Sequence, residues 1–167
     1  AAPAASPRRL RLLGGAALVL LLAALATAGL AGKAWWDQRA LDVARQQALA
    51  AARQACVNFV SISASTVDRD LSRISDGATG DFKDQLAADS AQIRAAVLEN
   101  KVDSRGTALR AAVVSVTRSS AVVLVAVDAT VKNTKAPSGR LSHYRIQVNL
   151  ARDGSGRWLV SQLQFVG

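Results

Sequence analysis

The chain has 167 residues, enough for one domain of ordinary size, and its 21 Lys and Arg against 12 Asp and Glu give a formal net charge of +9. Its one Cys and one His, Cys56 and His143, exclude an intrachain disulfide and a zinc site of four Cys and His ligands, and we expect no cofactor. The basic residues are scattered singly with few aromatic residues between them, which argues against a nucleic-acid partner and favours anionic lipid headgroups or an acidic protein.

An uncharged apolar segment near the N-terminus predicts a transmembrane helix. Residues 12–32 contain no charged side chain, and at about 1.5 Å per helical residue they extend about 31 Å, the thickness of the hydrocarbon core of a bilayer. Residues 1–11 are the predicted cytoplasmic segment because three arginines precede the span, and we expect further chain before Ala1 because Met is absent. The residues expected at the two membrane interfaces are Arg8, Arg9, Arg11, Lys33, Trp35 and Trp36.

This orientation predicts a single-pass protein of the inner (plasma) membrane whose C-terminal part is extracytoplasmic, that is, periplasmic. The alternative is a cleaved signal peptide, since Ala26-Thr27-Ala28 has the small-x-small form that a signal peptidase accepts. A retained anchor is favoured because the apolar region of a signal peptide is commonly about 7–15 residues long and because a signal peptide gives the Trp pair no role.

Small residues recur along one side of the predicted span. Ala24, Ala28 and Gly32 are spaced at i, i+4 and i+8, which forms a face that another helix backbone could approach closely. We predict that this face contacts a partner helix in the membrane. The alternative is an accident of composition, because Ala is abundant in the whole chain.

The residues after the span predict an extracytoplasmic stem helix over 33–60 that continues the membrane helix and enters the domain at its far end. Residues 34–60 contain no Gly or Pro and are rich in Ala, Leu, Arg and Gln. We interpret Cys56 as a small buried hydrophobe, with an intermolecular disulfide as the alternative. The apolar stripe expected to dock on the domain is Trp36, Ala44, Ala48, Ala52, Cys56, Phe59 and Val60.

Residues 61–167 are predicted to form one domain that begins with helices. One helix is expected from about Thr66 to Gly77, with Ser65 and Asp68 as a capping box. Another, capped by Thr79, is expected to end near Glu99. The apolar face of this last helix comprises Phe82, Leu86, Ile93 and Val97.

After Gly106 the pattern changes to alternation and β-branched residues, which predicts an antiparallel meander of four strands. The first two cover about 107–117 and 121–131, and the second is apolar on both faces, which is typical of a central strand. An exposed connection over 133–139 precedes a third strand, and 158–166 form the fourth. In the third strand Tyr144, Ile146, Val148 and Leu150 alternate with His143, Arg145, Gln147 and Asn149. Helices followed by such a meander define an α+β domain, with three helices packed on a four-stranded antiparallel sheet.

This order of elements resembles the NTF2-like, or cystatin-like, fold, which VirB8-type secretion subunits also carry behind a single N-terminal anchor. Residues 10–167 more closely resemble the actinobacterial Mce-associated membrane (Mam) proteins. The motifs build the fold, so the resemblance implies a location and partners but no active-site residue. The stretches that carry it are Ala78-Thr79-Gly80-Asp81-Phe82, residues 125–133 and Gly156-Arg157-Trp158-Leu159-Val160-Ser161.

The resemblance implies a non-enzymatic accessory subunit of an Mce-type lipid import complex, which anchors an extracytoplasmic NTF2-like domain and stabilises the assembly. The implied partners are Mce proteins, their membrane permease subunits, membrane lipids and a paralogous Mam protein. One alternative is a VirB8-like assembly subunit of a secretion or conjugation system. Another is an NTF2-like enzyme or lipid-binding domain with a cavity inside the cone of helices and sheet.

The residues themselves offer little for catalysis. His143 shares a polar strand face with Arg145, but acid–base chemistry needs a converging carboxylate, and the alternation does not decide which face Asp128 occupies. We therefore interpret this face as exposed or as a protein interface, and predict no catalytic residue. Asp68, Asp70 and Asp76 do not share one helix face, so they favour helix capping and solvation over a metal site.

Overall fold

A computed structural model describes the backbone of residues 7–166 and the side chains of residues 25, 27–29, 32, 33 and 35–166. The chain divides into two units, residues 1–40 and residues 41–167. Helix α1 spans Pro7–Val60, so its residues are shared between the two units. All of the other regular elements belong to the second unit.

The predicted membrane span is for the most part outside the described side chains. Residues 12–24 and several later positions of the segment 12–32 belong to that undescribed set, as do the side chains of Arg8, Arg9, Arg11 and Ala24. Among the residues that can be described, no helix is both long and apolar enough to cross a membrane. The transmembrane assignment therefore stays a prediction.

The second unit has the predicted α+β order. After α1 come α2 (Val67–Asp76) and α3 (Gly80–Glu99), then β1 (Asp103–Val116), β2 (Ser120–Asn133), β3 (Ala136–Arg152) and β4 (Trp158–Phe165). The four strands form one antiparallel sheet in the order β1-β2-β3-β4. The prediction of a four-stranded antiparallel meander behind three helices is confirmed.

The connection predicted over 133–139 is wrong in extent, because only Thr134 and Lys135 separate β2 from β3. The Asn133 carboxamide oxygen accepts hydrogen bonds from the backbone N–H groups of Lys135 (3.0 Å) and Ala136 (2.8 Å), which closes a tight hairpin. Pro137 is compatible with β3 because β4 pairs with β3 only from Ile146 onward, so this part of β3 is an edge.

One face of the sheet and the second half of α1 form the main core. The stripe predicted on the stem helix is buried except for Trp36, which is 68% exposed and lies in the other unit. Small Ala side chains on α1 let the helix backbone approach the large aliphatic side chains of β2 and β3 closely. The buried cluster joins Ala44, Ala48, Ala52, Cys56 and Val60 of α1 to Val123, Val125, Val127, Ile146, Val148 and Leu150 of the sheet.

The other face of β2 is half-open, although its sequence is apolar on both faces. Leu124 is exposed there and Val122 is partly buried. No helix in the described part of the chain contributes a residue to a buried cluster with that face. The prediction of an interior strand is confirmed by the strand order, but one of its two faces is open.

Helix α2 begins where predicted, but the capping box at its start is wrong. Neither Ser65 nor Asp68 caps the helix. The buried Asp70 carboxylate instead accepts hydrogen bonds from the Ser63 N–H (3.1 Å) and the Thr66 hydroxyl (2.7 Å), and it pairs with Arg73 at 2.9 Å. A carboxylate in the first turn of the helix also interacts favourably with the helix dipole.

Helix α3 begins after Thr79 as predicted, but the Thr79 side chain makes no capping hydrogen bond. Its backbone N–H donates to the Val160 carbonyl at 2.8 Å, so the start of α3 is tied to the start of β4. Phe82, Leu86, Ile93 and Val97 lie on the inner side of α3 as predicted, with Leu86 and Val97 buried.

Candidate functional site

A cleft lies between α3 and the edge strand β4, with Phe59 of α1 at its base. Its volume is about 640 Å³, which is within the range of small-molecule and peptide sites. The apolar lining consists of Phe59, Phe82, Leu86, Ile93 and Leu163. The polar lining consists of Asp81, Gln85, Asp89, Ser161, Gln162 and Gln164.

The local folding of the chain explains why this cleft exists. The segment before α3 pairs with β4 at one residue, where the Val160 N–H donates to the Gly77 carbonyl and the Val160 carbonyl accepts from the Thr79 N–H, both at 2.8 Å. Gly80 then takes φ +59, a left-handed conformation that glycine adopts without strain, and the chain turns into α3. Beyond Val160 the helix and the strand therefore flank an open space.

The cleft is not the interior of the cone. Between α1 and the sheet, the space where NTF2-like enzymes would hold a substrate is filled by side chains of Val, Ile and Leu and by the Ala stripe of α1. The lipid-carrier alternative depended on a cavity at that place. The open volume is displaced to the periphery of the cone, against α3.

Two carboxylates stand at the rim of the cleft. Asp81 and Asp89 are both exposed, and within the described side chains neither has an ion-pair partner. Asp68 differs from them: Arg94 donates to it at 2.7 Å, which lowers the pKa of the Asp68 carboxyl and raises that of the Arg94 guanidinium. The rim is therefore locally acidic in a chain of net charge +9.

The sheet brings His143 and Asp128 together on its open face. They are directly opposed across β3 and β2, and His143 Nδ1 lies 2.6 Å from Asp128 Oδ1. The side chain of His143 is 72% exposed and that of Asp128 is 28% exposed. Arg110 and Arg145 flank the pair, since both are opposed to Ala126 in the adjacent register.

This pair is a histidine–carboxylate contact in open solvent. Neither residue lines the cleft, and nothing about the pair excludes water, as efficient acid–base catalysis requires. The sequence left the face of Asp128 undecided; the structure places it beside His143. Among the described side chains no group of three His, Cys, Asp or Glu residues could hold a metal ion.

Cys56 is fully buried in the main core. Burial raises the pKa of its thiol to about 12, because the thiolate would lose its hydration. The interpretation as a small buried hydrophobe agrees with this placement. The alternative of an intermolecular disulfide is wrong for the folded protein, since no partner thiol can reach the sulfur.

The residues predicted at the outer membrane interface and on the small-residue face have open surroundings. Trp35 is 56% exposed, contacts Trp36 edge-to-face at 5.5 Å between ring centroids, and lies under the Arg39 guanidinium at 5.3 Å. Lys33 and Ala28 are also exposed. At Gly32 an added Cβ would meet nothing within 4 Å. These positions are accessible to a partner or to lipid.

Sequence reasoning did not single out most of the cleft residues. Gln85, Asp89 and Gln164 belong to no motif, and their side chains converge only because α3 and β4 are brought together at Thr79 and Val160. Two signals were visible. Asp81-Phe82 lies in a stretch that carries the family resemblance, and β4 was expected to be the last strand of a meander and so to have a free edge.

Comparison of the sequence with known families gives a match over almost the whole chain. The family described as "Uncharacterized protein Rv1363c/MT1408-like" matches residues 12–167. The chain belongs to this family. One member, the uncharacterized protein Rv1363c of Mycobacterium tuberculosis, is 30% identical over 161 residues, which are 95% of this chain and 60% of that protein. A second, the uncharacterized protein Rv1362c of Mycobacterium tuberculosis, is 28% identical over 151 residues, which are 87% of this chain and 68% of that protein.

Solved structures with a similar fold come from type IV secretion. An IcmL-like type IV secretion system protein from Legionella pneumophila gives a TM-score of 0.60 at 12% identity, covering 73% of this chain and 91% of that one. The periplasmic domain of DotI gives 0.59 at 16% identity, covering 71% and 91%. CagV, a VirB8 homolog from Helicobacter pylori, gives 0.53 at 11% identity, covering 70% and 97%. At these identities the likeness concerns the fold alone, and the expectation of an NTF2-like, VirB8-like domain is confirmed.

Proposed function

We propose that this protein is a non-enzymatic assembly subunit of an envelope complex, anchored by residues 12–32 and acting through its extracytoplasmic domain. The observation that carries the proposal is the fold of residues 41–167, which is shared with the periplasmic domain of DotI and with the VirB8 homolog CagV. A packed core between α1 and the sheet supports a structural role, because it fills the space that a catalytic or carrier domain of this fold would keep open.

The proposed complex is an Mce-type lipid importer, in which this subunit contacts Mce proteins and their permease subunits. Support for this assignment comes from the resemblance to Mam proteins. The stretches that carry that resemblance form the junction between α3 and β4, where Thr79 and Val160 are hydrogen-bonded. They therefore maintain the domain architecture that such partners would recognise. A paralogous member of the family and membrane lipids are further proposed contacts.

A second candidate is a VirB8-like assembly subunit of a secretion or conjugation system. It is favoured by the similarity to type IV secretion proteins, at TM-scores of 0.53 to 0.60. Both candidates are assembly subunits, and the identity of the proteins that co-purify separates them. Mce and permease subunits favour the first candidate, and secretion ATPases and channel components favour the second.

The non-enzymatic proposal has its own test. The one histidine, His143, lies on an open face, so His143→Ala should fold and complement a deletion strain as well as the wild type does. A His143→Ala protein that is present at the normal level but does not complement would overturn the proposal, because the Asp128–His143 pair would then have a chemical role. Asp128→Asn provides the matched variant, since an enzyme based on the pair would lose activity with either substitution.

Co-purification of the full chain in a mild detergent tests the assembly role. Replacing Ala28 and Gly32 with Leu keeps the span apolar but adds bulk to the small-residue face. We expect this double variant to reach the membrane at the normal level and to lose its partners. The control is Ala26→Leu with Ala34→Leu, which lie about 200° away from the small-residue face on an ideal helix.

Loss of partners in both double variants would mean that added bulk anywhere on the span disturbs the complex. Retention of partners in both would mean that the soluble domain alone carries the interaction. Absence of any stoichiometric co-purifying protein would contradict the assembly role itself.

A further inference from the structure

The outer edge of β4 is available for strand pairing inside the cleft. β4 is the last strand of the sheet, and on its outer side only Val160 is paired, with Gly77 and Thr79. Throughout residues 7–166, no other backbone hydrogen bond joins that outer side to a neighbouring segment. Val166 donates to Arg145 at 2.8 Å on the inner side, so alternate N–H groups between Val160 and Val166 point outward. The edge therefore offers donors and acceptors without protein partners.

The dimensions of the cleft match a short strand. The lining residues of α3 run from Asp81 to Ile93, which is about 18 Å along the helix axis. A strand rises about 3.3 Å per residue, so five or six residues of extended chain have the same length. The pairing of Val160 with the segment before α3 is parallel, and it shows that this edge can form such a ladder.

The lining favours a peptide over an acyl chain. Phe82, Leu86 and Leu163 offer apolar contacts for every second side chain of an extended segment. The three glutamines of the lining can hydrogen-bond to peptide groups. An acyl chain would cover these amides without replacing their hydrogen bonds to water, at a cost in affinity.

The charges at the rim indicate which peptide fits. Asp81 and Asp89 are unpaired among the described side chains and lie eight residues apart on α3, so they are about 12 Å apart along the helix axis. They would attract basic side chains near the two ends of a bound segment and repel acidic ones. The remainder of the chain is basic, so this selection is specific to the cleft.

We propose that an extended segment of a partner protein, apolar at alternate positions and carrying Lys or Arg near each end, adds as a fifth strand to the outer edge of β4. Backbone hydrogen bonds supply affinity, and the apolar floor and acidic rim supply selectivity. The inference rests on the proposed function only for its source, another subunit of the complex. Peptide binding is measured without that complex, so the two proposals can fail separately.

The test is selection of random displayed octapeptides on the full chain in a mild non-ionic detergent. Enriched sequences should alternate apolar residues between basic ends. A synthetic octapeptide with the enriched sequence is then measured by fluorescence anisotropy in two N-methylated forms, one for each set of alternate N–H groups. In a strand only one set faces β4, so one form should lose binding and the other should retain it.

Variants of the cleft complete the test. Asp81→Asn with Asp89→Asn should weaken the basic octapeptide by about two- to tenfold, as expected for two exposed ion pairs. Asp84→Asn, on the same helix but outside the lining, should leave binding unchanged. Gln85→Trp should block the cleft, and Lys83→Trp is its matched control, with folding of each variant verified by circular dichroism.

Three results would overturn the proposal. The first is that no octapeptide is enriched on the wild type relative to Gln85→Trp. The second is that both N-methylated forms bind equally or both fail, because pairing at one edge predicts a difference. The third is occupation of the cleft by something else: cis-parinaric acid that binds the wild type but not Gln85→Trp, or a dimer of the full chain that Gln85→Trp dissociates.

Discussion

Asp153 organises the turn between β3 and β4. Its Oδ1 accepts hydrogen bonds from the Ser155 hydroxyl at 2.7 Å and from the backbone N–H groups of Ser155 and Arg157, each at 2.9 Å. The Arg157 guanidinium donates to Oδ2 at 3.0 Å. These bonds, that of the Ser155 hydroxyl first, lower the pKa of Asp153 to about 2. The ionised carboxylate therefore stabilises the folded turn.

The stabilisation by Asp153 has a defined pH dependence. Because its pKa is lower in the folded state than the value of about 3.9 in unfolded chains, the contribution is complete above about pH 4 and is lost as the pH falls to about 2. We expect Asp153→Ala to lower the free energy of unfolding at pH 7 and to flatten its decline across that window. Urea unfolding at several pH values measures this, with Asp84→Ala as the control. A carboxyl pKa of Asp153 near 3.9 by NMR would contradict the account.

Gly106 marks a close approach of β1 to the end of α1. An added Cβ would overlap Val60 Cγ2 and would lie 3.5 Å from the Asp128 carbonyl oxygen. Gly106→Ala should therefore lower the free energy of unfolding by about 1–3 kcal/mol through overpacking. Gly154→Ala, where nothing lies within 4 Å, is the control. Val60→Ala combined with Gly106→Ala should recover part of the loss, and no recovery would show that the clash is elsewhere.

At the level of elements, the Ala stripe of α1 determines how closely this helix packs on the sheet. Ala52 is fully buried, whereas Ala50, two residues earlier, is exposed. Ala52→Leu should lower the free energy of unfolding by about 1–3 kcal/mol, because the added side chain has no space against the valines of β2. Ala50→Leu should change it by less than about 0.5 kcal/mol. Equal effects in denaturant unfolding would contradict the packing described.

The order of elements could be predicted because each depends on a local pattern: the period of α3 and the alternation of β3 are both visible in the sequence. The errors lie where a single side chain decides. The Asn133 carboxamide closes a hairpin that Pro137 had concealed, and Asp70 rather than Ser65 organises the start of α2. These are choices between neighbouring polar groups that composition does not rank.

The cleft could not be predicted for a different reason. Its lining comes from α1, α3 and β4, whose relative placement depends on the hydrogen bonds between Val160 and the residues before α3. Hydrophobic periodicity reports which face of α3 is buried, but not whether the strand facing it fills the space. The His143–Asp128 contact is similar, because a register shift of one residue would separate the two side chains.

At the scale of the whole molecule, the topology prediction can be tested because the one native thiol does not react. Cys56 is buried and the pKa of its thiol is raised to about 12, so it should not be labelled in the folded protein. Ser138 is exposed in β3. Ser138→Cys should react with a membrane-impermeant maleimide on intact spheroplasts, and Ser6→Cys should react only after lysis. The reverse pattern would overturn the orientation, and labelling of the wild type would contradict the burial of Cys56.

The burial of α1 residues in the core has a consequence for how this protein can diverge. Because the stripe from Ala44 to Cys56 repeats every four residues, one residue inserted among them would turn the preceding part of the stripe by about 100° and expose it. Outward-facing residues can be exchanged freely, whereas the number of residues cannot change without unfolding the domain. The stem thus acts as a ruler of fixed length, and in relatives that keep this fold we expect its spacing to be more uniform than its composition.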